Sequence, residues 1–130
     1  MEIERSIDIE ETIRAALSPY LHAYCRPLPA SYSLPNVLVQ RVGGSDLNRI
    51  DTFDVILDAR AETEAEADEA LRNAVGILKA TAKAQATQLR HVVVNSSGSW
   101  GKDPARPDLA MCSARLRVTA HMEKTQIMEV

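Results

Sequence analysis

The sequence predicts an α+β fold, an antiparallel four-stranded sheet with helices packed on one face, in the order α-β-β-α-β-β. Three observations predict it. Apolar residues near the N-terminus recur at three and four, two later stretches alternate apolar with polar, and an alanine-rich segment between them opens with a helix cap. At 130 residues and 45% hydrophobic content, the chain fits one domain, residues 1–130, that buries roughly two thirds of its unfolded surface.

The first element follows from Ile9, Ile13, Ala16, Leu17, Tyr20, Leu21 and Tyr24, which share one helical face over about residues 7–25. Ser18-Pro19 interrupts the pattern, which predicts a kink or a fresh start with Pro19 in the first turn. Pro27, Pro29 and Pro35 then exclude helix until Asn36. Sheet and second helix are expected over about residues 36–122. Val37 to Val42 reads as a strand that leaves through a turn at Gly43-Gly44-Ser45-Asp46, and a loop of several residues leads to its antiparallel partner. In that partner Phe53, Val55, Leu57 and Ala59 alternate with Asp54, Ile56, Asp58 and Arg60.

Thr63 and Glu66 have capping-box spacing, and the acids from Glu62 to Glu69 favour the positive end of a helix dipole. The buried stripe expected of this second helix is Ala67, Ala70, Leu71, Ala74, Val75 and Leu78, fading near Lys83 to Gln88. His91 to Asn95 reads as a short buried strand, Ser96 to Asp108 as an irregular loop, and Ala110 to Met122 as the last strand, with a small apolar face and a polar one. Residues 123–130 are expected to form a loose tail.

Composition narrows function. A formal charge of −3 provides no global positive field for holding nucleic acid. Cys25 and Cys112 match no zinc or redox spacing, so reduced thiols are expected. The acidic N-terminal stretch MEIERSIDIEE and the lack of a long apolar run point to a soluble intracellular chain without a membrane partner. His22, His91 and His121 fall in different elements, so no metal site is expected. Gly43-Gly44 lacks the lysine and following helix of a phosphate loop. Of Asp51, Asp54 and Asp58, only Asp54 and Asp58 share a strand face, which leaves a poor cation cage. No catalytic residues and no cofactor are expected.

The residues that stand out are on the late loop and strand. Burying Trp100 fully is worth about 4–6 kcal/mol, so it must pack either on its own domain, over the C-terminal end of the second helix, or on another chain. Arg115 and Arg117 form a stripe suited to acids of a neighbouring subunit, with the run from Glu62 to Glu69 as one source, or form a solvated face.

The succession VLVQRVGG, then DTFDVILDARAETEAEADEALRNAVGIL, then RHVVVNSSGSWGKDPARPDLAMCSARLRVTAHM, resembles the small tail terminator proteins of long-tailed phages and prophages. The similarity runs from about Val37 to Met122. It implies a non-enzymatic virion protein, assembled in the host bacterial cytoplasm, that forms a homohexameric ring on the head-proximal end of the tail tube. Such a ring ends tube polymerisation and meets head-completion proteins, with DNA passing through it but not read by sequence. Trp100, Lys102, Asp103, Arg106 and Asp108 are the expected contact set with a neighbour or the tail tube protein, joined by Arg115 and Arg117. Two other readings stay open: a head-tail connector or head-closure protein, and a small enzyme or ligand-binding domain using His91, Asp54 and Asp58, which requires a concave polar pocket.

Overall fold

The computed structural model describes residues 1–47 and 50–130, with the side chains of residues 46 and 47 outside the description. In chain order the elements are β1 (Glu2–Arg5), α1 (Ile9–Leu17), β2 (His22–Cys25), β3 (Asn36–Leu47), β4 (Ile50–Ala61), α2 (Glu64–Ala84), β5 (Leu89–Asp103), β6 (Arg106–His121) and β7 (Glu123–Gln126). A five-stranded mixed sheet has the order β2-β3-β4-β6-β5, and β1 pairs with β7 in a separate two-stranded ribbon. Among the described residues strands outnumber helices seven to two, which corrects both the antiparallel four-stranded sheet and the α+β order α-β-β-α-β-β expected from the sequence.

The largest departure is at the N-terminus. The helix expected over residues 7–25 ends at Leu17, and His22–Cys25 becomes an edge strand that pairs in parallel with β3. Asp8 caps α1 by accepting from the Glu11 N–H, and Ile9, Ile13 and Leu17 are its buried face. Pro19 cannot continue the ladder of helical hydrogen bonds, so the chain turns there and Tyr20 and Leu21 leave the helical stripe. Ala23 then faces the core while His22 is on the outer face beside Asn36.

Gly43-Gly44-Ser45-Asp46 is not an exit turn. The β3–β4 ladder absorbs a register shift between Arg41 and Gly43 and continues to Leu47 opposite Ile50, so the expected loop of several residues is replaced by strand. The part of that loop at residues 48 and 49 lies outside the described residues. Glu10 fixes the helix layer to this region. Its Oε2 accepts from Arg26 at 2.8 Å and from the Arg41 N–H at 3.1 Å; burial alone raises the carboxyl pKa, and these hydrogen bonds bring it below its usual value.

α2 forms as its sequence predicts. The Thr63 side chain accepts from the Glu66 N–H at 3.2 Å, and Ala67, Ala70, Leu71, Ala74 and Leu78 are buried, with Ala82 extending the stripe and Val75 only half-buried. Both helices cover one sheet face, where Val37, Val39, Phe53, Val55, Leu57, Leu116 and Val118 complete the core. Asp51 also points to this side and is 2% exposed, in a small hollow with Ser6, Arg41 and Ser45. The expected loose tail is instead half strand. Glu123–Gln126 pairs with Glu2–Arg5, Arg5 bridges to Glu123 at 2.9 Å, and the terminal ammonium donates to the Ile127 carbonyl. Among the described residues no helix is long and apolar enough to cross a membrane.

Candidate interaction surface

The stretch expected to be an irregular loop is the tip of a long hairpin. β5 continues through Ser96-Ser97-Gly98-Ser99-Trp100 to Asp103, turns at Pro104-Ala105, and returns as β6. Four register shifts along the β5–β6 ladder accommodate the serines and glycines, and Gly98 adopts φ +81°, which L-residues rarely take. β6 supplies the template, because its regular alternation fixes the backbone donors and acceptors that β5 must meet.

Trp100 pairs across the ladder with Cys112, a core-facing residue, so it lies on the helix side of the sheet. That row crosses β4 at Ala59, only a few residues before α2 begins at Glu64. Trp100 is therefore level with the first turns of α2, not its C-terminal end, and 49% of it remains exposed on the edge strand. Burial pushes the adjacent Cys112 thiol up, aided by the Asp68 carboxylate, so this cysteine is a packing residue.

The other expected contacts separate into distinct roles. Asp103 Oδ2 accepts from Arg60 Nε at 3.2 Å, and the Arg60 side chain is 8% exposed, so this pair joins the hairpin end to β4. Asp103 also accepts from the Ala105 N–H at 2.9 Å, shaping the turn. Arg106 makes a two-pronged contact with Asp108 at 3.1 and 3.0 Å, which holds the Asp108 carboxyl below its usual range, and it also meets Tyr32. Lys102 is exposed.

Arg115 and Arg117 are both exposed on the outer face. Arg117 Nε is 3.4 Å from Asp54 Oδ1, its direct cross-strand partner, so one of the two arginines already has an acid within its own sheet. The run from Glu62 to Glu69 belongs to the opposite, helical side. That outer face is not uniformly wet as its alternation suggests. Near the hairpin end the proline-rich segment folds over it, with the Ser33 N–H donating to the Tyr24 hydroxyl and Asn36 Nδ2 donating to the Ser33 carbonyl. Asn36, Leu38, Arg60 and Leu109 are buried there, away from the main core.

A polar hollow of about 270 Å3 opens beside this cover, lined by Gln40, Asp58, Ser96, Ser99, Ser113 and Arg115. Asp58 accepts from Gln40 and from Ser113 Oγ at 2.6 Å, so its carboxylate is held by its own sheet. The alternative trio is not assembled here. Asp58 lies opposite Ser113 while His91 lies opposite Thr119, six residues or about 20 Å further along β6, and Asp54 is engaged by Arg117. His22, His91 and His121 fall on β2, β5 and β6, and among the described residues no group of three or more His, Cys, Asp or Glu side chains converges on a metal site.

Sequence reasoning missed Tyr20, which it assigned to a buried helical stripe. Tyr20 is 74% exposed and borders three shallow grooves on the helix layer, between α1, α2 and the turn into β2. The available signal was Ser18-Pro19, which ends the helix just before it.

A mixed five-stranded sheet layered by two helices, with a long hairpin along one edge, makes this a strand-rich two-layer domain. Compared with known protein families and with curated proteins, the chain matches none.

Proposed function

We propose that this chain is a structural, non-enzymatic protein that closes the head-proximal end of a phage tail tube as a homohexameric ring. It ends tube polymerisation and offers a surface for the head-completion protein, with DNA passing through the ring and the protein residing in the virion tail. The observation that carries the reading is the hairpin. The stretch from Arg90 to Met122, the longest part of the resemblance, forms the two longest strands of the fold and leaves the one tryptophan half uncovered on an edge. An aromatic held on a rigid scaffold but incompletely buried suits the centre of a protein contact.

Trp100→Ala tests it. Because about half of the side chain is already exposed, the variant is expected to remain folded, with a melting temperature lowered by only a few degrees. Contact affinity should fall about thirty- to a thousand-fold, so that tubes assembled with it overgrow and few join heads. Tubes of normal length, or a variant that unfolds readily while its folded fraction still caps tubes, would place Trp100 in the fold and overturn the reading.

A further inference from the structure

The sheet order places β2 and β5 on opposite edges, and the pairing registers tie those edges together level by level. One row runs His22, Asn36, Arg60, Met111 and Gly101 straight across all five strands. The next row runs Ala23, Val37, Ala59, Cys112 and Trp100. Trp100 thus stands at one edge, about 19 Å across the sheet from β2 and at the same height along the strands.

At the β2 edge, on the same helical side as Trp100, lies a groove of about 580 Å3 lined by Pro19, Tyr20, Leu21, Pro35, Glu66 and Glu69. Pro19, Pro35 and Tyr20 contribute apolar and aromatic lining, and Glu66 and Glu69 of α2 contribute acidic lining. Neither glutamate makes an ion pair among the described residues, and Tyr20 stands exposed beside them. The hairpin has the complementary chemistry. Beside Trp100 it carries Lys102, a cation free of any ion pair among the described residues, whereas Asp103 and Asp108 are neutralised by Arg60 and Arg106.

We propose that the groove is the acceptor for the β5–β6 hairpin of a second copy of this chain, Trp100 packing over Tyr20 and Pro19 while Lys102 meets Glu66 and Glu69. The inference rests on the ring reading and gives it a specific contact. Donor and acceptor occupy different surfaces, so the association is head-to-tail. They also share one level of the sheet, so each copy joins the next without sliding along the strands, as closure into a ring requires.

Lys102→Cys and Glu69→Cys chains, purified separately, mixed at millimolar concentration and oxidised, should give a disulfide between position 102 of one chain and position 69 of another by peptide mapping. Tyr20→Ala should weaken self-association about thirtyfold in sedimentation while leaving the melting temperature unchanged, since the side chain is largely exposed. Lys102→Glu should weaken it too, and adding Glu69→Lys should restore it. If copies associate with light-scattering masses beyond a dimer yet neither the bridge nor the variants respond, this contact is wrong and the ring reading survives. Association only as a two-fold dimer overturns both. A chain that stays monomeric at millimolar concentration overturns the contact, and tube length with Trp100→Ala then decides the ring separately.

Discussion

Asp103 and Asp108 look equivalent in sequence, two acids flanking the same pair of prolines, and the structure gives them different work. Asp103 neutralises a guanidinium that is almost wholly buried, while Asp108 pairs with Arg106 in solvent. Removing one partner of a buried pair leaves an uncompensated charge, whereas an exposed pair is screened and worth little. Asp103→Ala should therefore cost about 2–4 kcal/mol and open the hairpin end to proteases. Asp108→Ala should be indistinguishable from wild type in chemical denaturation. Equal effects from the two would mean that Arg60 is satisfied by something other than Asp103.

The elements show which sequence signals survive folding. α2, β4 and β6 were legible because each carries a complete local pattern: a capping box with an alanine stripe, or uninterrupted alternation. β2 was not, since its four residues continue the spacing of α1 and only the parallel pairing with β3 makes them a strand. The upper half of β5 was hidden by serine and glycine, whose composition reads as loop although the backbone hydrogen bonds they make to β6 need no particular side chain. β1 and β7 come from the two ends of the chain, and no local window contains both. Gly44 makes the same point in the opposite direction, because its turn-like character belongs to a strand. It holds φ +147°, and an added Cβ would collide with the Thr52 carbonyl oxygen and lie 3.1 Å from Phe53 Cα. At Gly43 an added Cβ would meet Asp54 Oδ2 at an ordinary 3.5 Å. Gly44→Ala should thus cost about 2–4 kcal/mol and Gly43→Ala less than about 1, measured by thermal melts. A Gly44→Ala chain as stable as wild type would show that the ladder near Phe53 relaxes without loss.

At the scale of the whole molecule, charge and shape divide the surface into an acidic helical side, a sheet side bearing Arg115 and Arg117, and two lateral edges. Arginines and helical acids on opposite sides can meet only if copies stack face to back, whereas the hairpin and its groove join copies side by side. If the lateral contact builds the ring, the sheet side is left for the tube or the head partner. Arg115 lines the polar hollow together with Asp58, and Arg117 pairs with Asp54 further along the same face. Replacing both arginines by glutamate should then leave self-association within about twofold while preventing the chain from capping tubes, since reversed charge opposes a complementary partner and hardly affects a contact made elsewhere. Fold stability should fall by about 0.5–1 kcal/mol, because glutamate at 117 would lie directly opposite Asp54. Sedimentation and a tube-length assay on the same preparation separate the outcomes. Normal capping makes the stripe a solvated face. Loss of self-association instead means that copies meet face to back, with the arginines on the acids of α2, and the side-by-side ring is wrong.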